Sequence, residues 1–211
     1  MIECFSSRLY LVVSEDACMG RDLVLVTEMA VKGGVDLVQI REKHKDFAAF
    51  QSVTLRLKEM LDHYGVPLIV NDNLAVARSC CVSGIHVGNS DMLPADIKKL
   101  WHNDVLLGYS IEYEEQLFNS QIQHTDYLGV SPVFNTLTKN DTVTAWGLDG
   151  ISKIRSLTDK PLVAIGNIHA ENTYDVIRAG ADCLAVVSAI CGAENPEQAA
   201  AEIRNQIEKA I

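Results

Sequence analysis

The chain has 211 residues, enough for one domain with a substantial core. Apolar residues make up 48% and charged residues 22%, the balance of a globular protein and not of a disordered one. Eighteen Lys and Arg against 28 Asp and Glu give a net charge of −10, which disfavours nucleic-acid or anionic-membrane partners.

No apolar run approaches the ~20 residues a membrane-spanning helix needs. The N-terminal stretch MIECFSSRLYLVVSED has neither a basic leading region nor a small-residue cleavage site, so it does not read as a secretory signal. Six cysteines are present, but Cys80 and Cys81 are adjacent and no C-x-x-C occurs. Most sit in apolar surroundings, as buried thiols do, and the expectation is a reduced, cytoplasmic protein.

In chain order, short β-branched runs occur at Leu9–Ser14, Val35–Glu42, Pro67–Asp72, Gly84–Gly88, Leu106–Ser110, Asp126–Val133, Pro161–Gly166 and Cys183–Ile190. Helical spacing fills the intervals. In Phe47–Tyr64, Phe50, Val53, Leu57, Met60 and Leu61 form one apolar stripe, and a last helix is predicted from about Pro196 to Ile211. Eight strand-plus-helix units average about 26 residues each, close to the minimum for such a unit. Strands that read as nearly continuous apolar runs indicate a parallel sheet covered by helices. The alternative is an open doubly wound sheet, but the G-x-G-x-x-G phosphate fingerprint of a dinucleotide-binding fold is absent after the first strand. Polar residues cluster instead at the C-terminal ends of many strands. The prediction is a single-domain (β/α)8 TIM barrel spanning 1–211.

Strand two is the most informative. In Val35–Lys43 a period of two places Gln39, Arg41 and Lys43 on one face and Val38 and Ile40 on the other. Cations inside a barrel mouth need counter-charge. Either carboxylates such as Glu42 pair with them in a structural network, or they clamp a phosphate or diphosphate, Arg by a two-pronged hydrogen bond and Lys as a point charge. Strand three ends in Asn71-Asp72, and Asp91 follows strand four. Each aspartate could simply cap the next helix. Facing a diphosphate clamp, the two could instead hold Mg²⁺, which favours a few carboxylates completed by substrate phosphates. His86 has no second histidine at metal-site spacing and reads as a hydrogen-bonded core residue. Ser110 lacks a nucleophile elbow and reads as a hydrogen-bonding group. After strand six, Thr136, Thr138 and Lys139 place two hydroxyls and an ammonium on a polar loop, either merely solvated or suited to closing over an oxyanion. Gly166 after strand seven either makes a tight turn or admits a phosphate, the loops after strands seven and eight being a recurrent phosphate site of this fold. The inventory contains anion sites and a candidate metal pair, without a general acid–base pair or covalent nucleophile. It suits a reaction in which an oxyanion departs.

Taken together, QIREK at 39–43, ND at 71–72, GIHVGNSD at 84–91, GYS at 108–110, the S-P-V-F-x-T-x-T-K stretch at 131–139, AIG at 164–166 and VVSAI at 186–190 resemble the thiamine-phosphate synthase (thiamine-phosphate pyrophosphorylase) family over nearly the whole chain. The resemblance implies an Mg²⁺-assisted transferase. It would join 4-amino-2-methyl-5-(diphosphooxymethyl)pyrimidine to 4-methyl-5-(2-phosphooxyethyl)thiazole, releasing diphosphate and forming thiamine phosphate. It assigns Gln39, Ile40, Arg41, Glu42, Lys43, Asn71, Ser110 and Lys139 to the pyrimidine diphosphate, with Arg41, Lys43, Ser110 and Lys139 in catalytic roles. Asp72 and Asp91 would hold Mg²⁺, and Thr136, Leu137, Thr138, Gly166, Val187 and Ser188 would receive the thiazole phosphate. The partners implied are two small phosphorylated heterocycles, with a homo-oligomer compatible.

Four positions depart from the family pattern. Asn89 stands for Gln, Glu112 for His, Asn135 for Pro and Asn167 for the second Gly of a Gly-Gly-Ile. Glu112 adds negative charge near the pyrimidine pocket, and Asn167 calls for a backbone conformation that Asn tolerates better than most residues. A thiazole tautomerase of the same superfamily would not need the REK, ND, Asp91 and T-x-T-K set. A phosphate-ligand sensor on this barrel would bind without releasing diphosphate.

Overall fold

Parallel strands whose residues alternate between two apolar environments must be covered on both sides, and here the sheet closes on itself. The computed structural model describes residues 5–101, 104–135 and 145–211. Its strands are β1 (Leu9–Val13), β2 (Leu37–Ile40), β3 (Leu68–Asn71), β4 (Gly84–Val87), β5 (Leu106–Ile111), β6 (Tyr127–Val130), β7 (Leu162–Ile165) and β8 (Cys183–Val186). They pair in sequence order, all parallel, and β8 pairs back onto β1 in a closed barrel. The eight runs expected from sequence are all present, trimmed at their ends. At the eighth the whole trim falls at one end: the chain leaves the barrel at Val187, and Ser188–Cys191 forms a helical turn, not a continuation of the strand.

Around the barrel lie α1 (Leu23–Lys32), α2 (Phe47–Tyr64), α3 (Leu74–Ser79), α4 (Pro94–Leu100), α5 (Gly147–Leu157), α6 (Ala170–Arg178), the short α7 (Ser188–Cys191) and α8 (Pro196–Ala210). After β5 two 3₁₀ turns, Glu114–Phe118 and Ser120–His124, take the place of an α-helix. Helix starts are set by side chains that satisfy otherwise orphaned N–H groups: Asp22 for α1, Asp46 for α2, Asn73 for α3 and Asn195 for α8. Among the described residues no helix is long and apolar enough to cross a membrane. Cys18, Cys80, Cys183 and Cys191 are buried free thiols, and Cys81 is a free thiol at the surface.

Alternation divides the core into two layers. Leu9, Leu11, Val13, Val38 and Ile40 point outward into the layer beneath the helices. Tyr10, Val12, Leu37, Ile69, Tyr127, Val163, Cys183 and Ala185 fill the barrel itself. Two large rings fit inside because neighbouring strands present glycine. A Cβ on Gly108 would collide with the Tyr127 ring and His86, and one on Gly129 would lie 3.0 Å from His86 Cε1. The rings of His86 and Tyr127 stack with centroids 5.5 Å apart.

Inserting a methyl into a filled interior forces off-rotamer side chains or backbone shifts. Gly108→Ala is therefore expected to lower the unfolding free energy by about 1–3 kcal/mol in urea denaturation. An unchanged denaturation midpoint would show that the barrel interior is looser than this packing requires.

Candidate active site

The C-terminal ends of the strands open into two adjoining cavities of about 300 and 470 Å³, both bordered by Val12, Arg41, Lys43, Ser131, Ile165 and Ala185. Gln39, Arg41, Lys43, Asn71, Asp72, Asp91 and Ser110 converge on the smaller one. Glu42, Gly166, Val187 and Ser188 border the larger. Ile40 belongs to neither. Its side chain is fully buried in the layer beneath the helices, because the alternation that turns Gln39 and Arg41 inward turns Ile40 outward. Thr136, Leu137, Thr138 and Lys139 lie outside the described residues. The stems flanking that segment are tied to the barrel: Val133 N–H donates to Ile165 O (2.8 Å), Trp146 N–H to Pro132 O (2.9 Å) and Gly147 N–H to Val133 O (2.8 Å).

Arg41 continues the β2 ladder one residue beyond the strand, its N–H donating to Val13 O at 2.9 Å. Its side chain and that of Lys43 thus enter the mouth from one edge. Among the described residues neither cation has a carboxylate within ion-pair distance. The structural ion network considered from sequence is not formed. Glu42 turns instead to the loop after β1, accepting the Glu15 N–H at 2.7 Å. Burial pushes its carboxyl upward, partly offset by that N–H and by Lys45.

Asp72 follows β3, the strand beside β2, in the left-handed region at φ +61°. Asn73 N–H donates to Asn71 O at 2.7 Å, closing a tight three-residue turn around it, and Asn71 Nδ2 donates to Asp72 Oδ2 at 2.5 Å. Such a conformation costs a non-glycine residue of order 1–3 kcal/mol and recurs at functional sites. Neither aspartate caps a helix. Asn73 caps α3, and α4 begins at Leu93-Pro94 with no side-chain cap. Asp91 folds back so that Oδ2 accepts the Gly88 N–H at 2.8 Å. The Asp72 carboxyl is pushed up to about 7, first by burial and then by the Asp91 carboxylate, while Lys43 and Arg41 pull it down. Two carboxylates that repel one another in a shared wall are the donors a divalent cation neutralises. Among the described residues no third His, Cys, Asp or Glu completes a cluster with them. Two acidic ligands with open positions fit Mg²⁺ completed by phosphate oxygens and water, and not a caged structural metal.

Ser110 Oγ is hydrogen-bonded to His86 Nε2 at 3.0 Å. His86 is half-buried and bonded at both ring nitrogens, the core role its sequence context indicates. The departures at Asn89 and Glu112 meet each other. Asn89 Nδ2 donates to Glu112 Oε2 at 2.7 Å, while Asn89 Oδ1 accepts from the Tyr109 hydroxyl at 2.8 Å and from Gln116. The extra negative charge at the rim is thus held by the amide that is one methylene short. Asn167 adopts φ +53°, and Gly166 φ +118°. A Cβ on Gly166 would sit 2.7 Å from Pro132 Cβ, so glycine is required there for the loop after β7 to lie against the loop after β6. Sequence reasoning passed over Ser131 and Tyr10, which also line the smaller cavity. Their signal was present only as polar atoms within strand-like runs.

Residues 9–190 match the family described as Thiamine monophosphate synthase. The thiamine-phosphate synthase of Albidiferax ferrireducens is 45% identical over 201 residues, covering 95% of this chain and 92% of that protein. That of Leptospira biflexa is 41% identical over 204 residues, covering 93% and 96%. A solved structure, the thiamine phosphate pyrophosphorylase from Pyrococcus furiosus, superposes with a TM-score of 0.89 at 28% identity, covering 98% of each chain.

A carboxyl raised in the folded state burdens folding increasingly as pH climbs from the ordinary aspartate range through about 7. In chelator-treated protein, Asp72→Asn keeps a residue that tolerates the left-handed turn and removes that burden. The expected result is a melting temperature raised more at pH 8 than at pH 5. An equal shift at both pH values would mean that neither burial nor Asp91 raises the Asp72 carboxyl.

Proposed function

Since the chain belongs to the thiamine monophosphate synthase family and is a transferase that makes thiamine phosphate and diphosphate from the two phosphorylated heterocycles, we propose that its chemistry occupies the smaller cavity, with Arg41 and Lys43 clamping the diphosphate against Asp72 and Asp91. The observation that carries this reading is the convergence of both cations and both carboxylates on one 300 Å³ cavity, neither cation being in an ion pair among the described residues.

Asp72 and Asp91 would hold Mg²⁺, which when bound neutralises charge on the departing diphosphate oxygens. The chain's own groups do the rest. Arg41 presents a planar fork to two phosphate oxygens, and Lys43 adds a mobile point charge. Their attraction grows as the methylene–oxygen bond breaks and its electron pair leaves with diphosphate. Gln39, Asn71 and Ser110 orient the pyrimidine, whose amino group feeds electron density to the methylene carbon. The thiazole nitrogen then forms the new carbon–nitrogen bond. No protein nucleophile takes part.

Gly166, Val187 and Ser188 border the neighbouring 470 Å³ cavity, which would take the thiazole phosphate. The shared wall of Val12, Ser131, Ile165 and Ala185 brings the two rings together. Thr136, Leu137, Thr138 and Lys139 join this reading through their motif. Because the molecule carries −10 overall, anionic substrates are drawn in by this local cationic patch and not by the long-range field.

Steady-state diphosphate release tests these roles. Arg41→Gln removes one preorganised donor and is expected to lower kcat by about 10²–10³-fold. Asp91→Ala is expected to abolish Mg²⁺-dependent turnover with the circular dichroism spectrum preserved. Full turnover of Asp91→Ala, or of the unaltered protein in excess chelator, would remove the metal from the reaction.

A further inference from the structure

The barrel interior contains an unbroken row of polar contacts that the clamp does not use. Gln39 Nε2 donates to the Tyr10 hydroxyl at 2.7 Å, and the Tyr10 and Tyr127 hydroxyls are 3.0 Å apart. Tyr127 Oη lies 3.2 Å from His86 Nδ1, and His86 Nε2 lies 3.0 Å from Ser110 Oγ. Both tyrosines are wholly buried, at 1% and 0% exposure, where burial holds their hydroxyls protonated. The row runs beneath the smaller cavity, and both of its ends, Gln39 and Ser110, line that cavity.

Such a row has a direction. Each hydroxyl supplies one hydrogen. With Gln39 donating, the Tyr10 hydrogen goes to Tyr127 and the Tyr127 hydrogen to His86 Nδ1. The imidazole proton then sits on Nε2 and is given to Ser110 Oγ, leaving the serine's own hydrogen for the cavity. At the other end the Gln39 nitrogen is engaged and its carbonyl oxygen is left for the cavity.

We propose that Tyr10 and Tyr127 are specificity-determining positioning residues: their hydroxyl pair fixes the direction of the row so that Gln39 presents its carbonyl oxygen to the cavity, the complement of a 4-amino group on the pyrimidine and not of a 4-oxo group. This rests on the reading that the smaller cavity takes the pyrimidine diphosphate. The amino group is a donor and the adjoining ring nitrogen an acceptor. In the 4-oxo ring both are inverted, so the ring carbonyl would face the Gln39 carbonyl. Sites built to pair one polar group reject its inverse because buried atoms are then left unpaired. The pairing also favours the reaction. As the methylene–oxygen bond breaks, the amino nitrogen gives density to the ring and its N–H becomes a stronger donor, so Gln39 Oε1 holds the transition state more tightly than the substrate.

The test compares diphosphate release from the 4-amino and 4-oxo pyrimidine diphosphates, with Mg²⁺ and the thiazole phosphate, by the unaltered protein and by Tyr10→Phe and Tyr127→Phe. The expected unaltered preference for the amino ring in kcat/KM is at least about 10³-fold. Each variant is expected to narrow that preference by at least tenfold, chiefly through a lower kcat on the amino substrate. A preference that stays constant while stability falls would make the tyrosines merely structural and overturn the proposal. Nitrogen-15 NMR of labelled histidine in the unaltered protein gives a decision independent of turnover and of variant folding. His86 is expected as the neutral tautomer protonated on Nε2, and a proton on Nδ1 would reverse the row and overturn the proposal. Absence of diphosphate release from the 4-amino substrate by the unaltered protein would instead sink the assignment of the cavity, a failure the tautomer measurement keeps distinct.

Discussion

Charge gathered at the ends of adjacent strands is the constraint around which the mouth of this barrel is organised. Arg41 and Lys43 enter from the end of β2 and meet no ion-pairing carboxylate among the described residues, while Asp72 and Asp91 crowd each other across the same 300 Å³ cavity. Two crowded, half-buried carboxylates are costly on their own. A polyanion with its divalent cation would relieve them and engage the two cations together. The backbone is shaped to the same end, since Asp72 accepts a left-handed conformation and leaves the helix cap to Asn73.

Below the charges, the barrel is filled by groups that are polar without being charged. Tyrosine hydroxyls and an imidazole satisfy one another inside an otherwise apolar layer, so no hydrogen-bonding capacity is stranded there. Their bulk is accommodated by Gly108 and Gly129 on adjacent strands. The interior therefore supports the cavity floor in two ways, by packing and by orienting Gln39 and Ser110. The second cavity is shaped differently, by close backbone approach at Gly166 and by the turn from β8 into α7.

Much of this was legible in the sequence because a closed parallel barrel imposes simple periods. The eight apolar runs mark the strands, and the two-residue alternation in 39–43 separates Gln39, Arg41 and Lys43 from Val38. Ile40 was taken with its neighbours as a site residue, although the same alternation buries its side chain outside. Strand eight was read too long because VVSAI stays apolar across the change from strand to helix, and apolarity alone does not distinguish the two. The roles of Asp72 and Asp91 stayed open between capping and ligation, since an aspartate before a helix looks alike in either; Asn73 and Leu93-Pro94 remove the capping alternative. The contact of Asn89 with Glu112 joins residues 23 positions apart, which no local pattern reveals. Tyr10 and Tyr127 were hidden for a related reason: in a strand-like run a tyrosine reads as bulk, and its hydroxyl matters only once the barrel has closed.

The central claim is that the cationic and anionic walls act on one ligand. Titration calorimetry of inorganic diphosphate, with and without Mg²⁺ at matched free concentrations, tests it most directly. Reciprocal coupling is predicted, with each raising the affinity of the other by at least about tenfold and the coupling disappearing in Asp91→Asn. Diphosphate affinity indifferent to Mg²⁺, and unaltered in that variant, would show that the two walls serve separate ligands and would contradict the account.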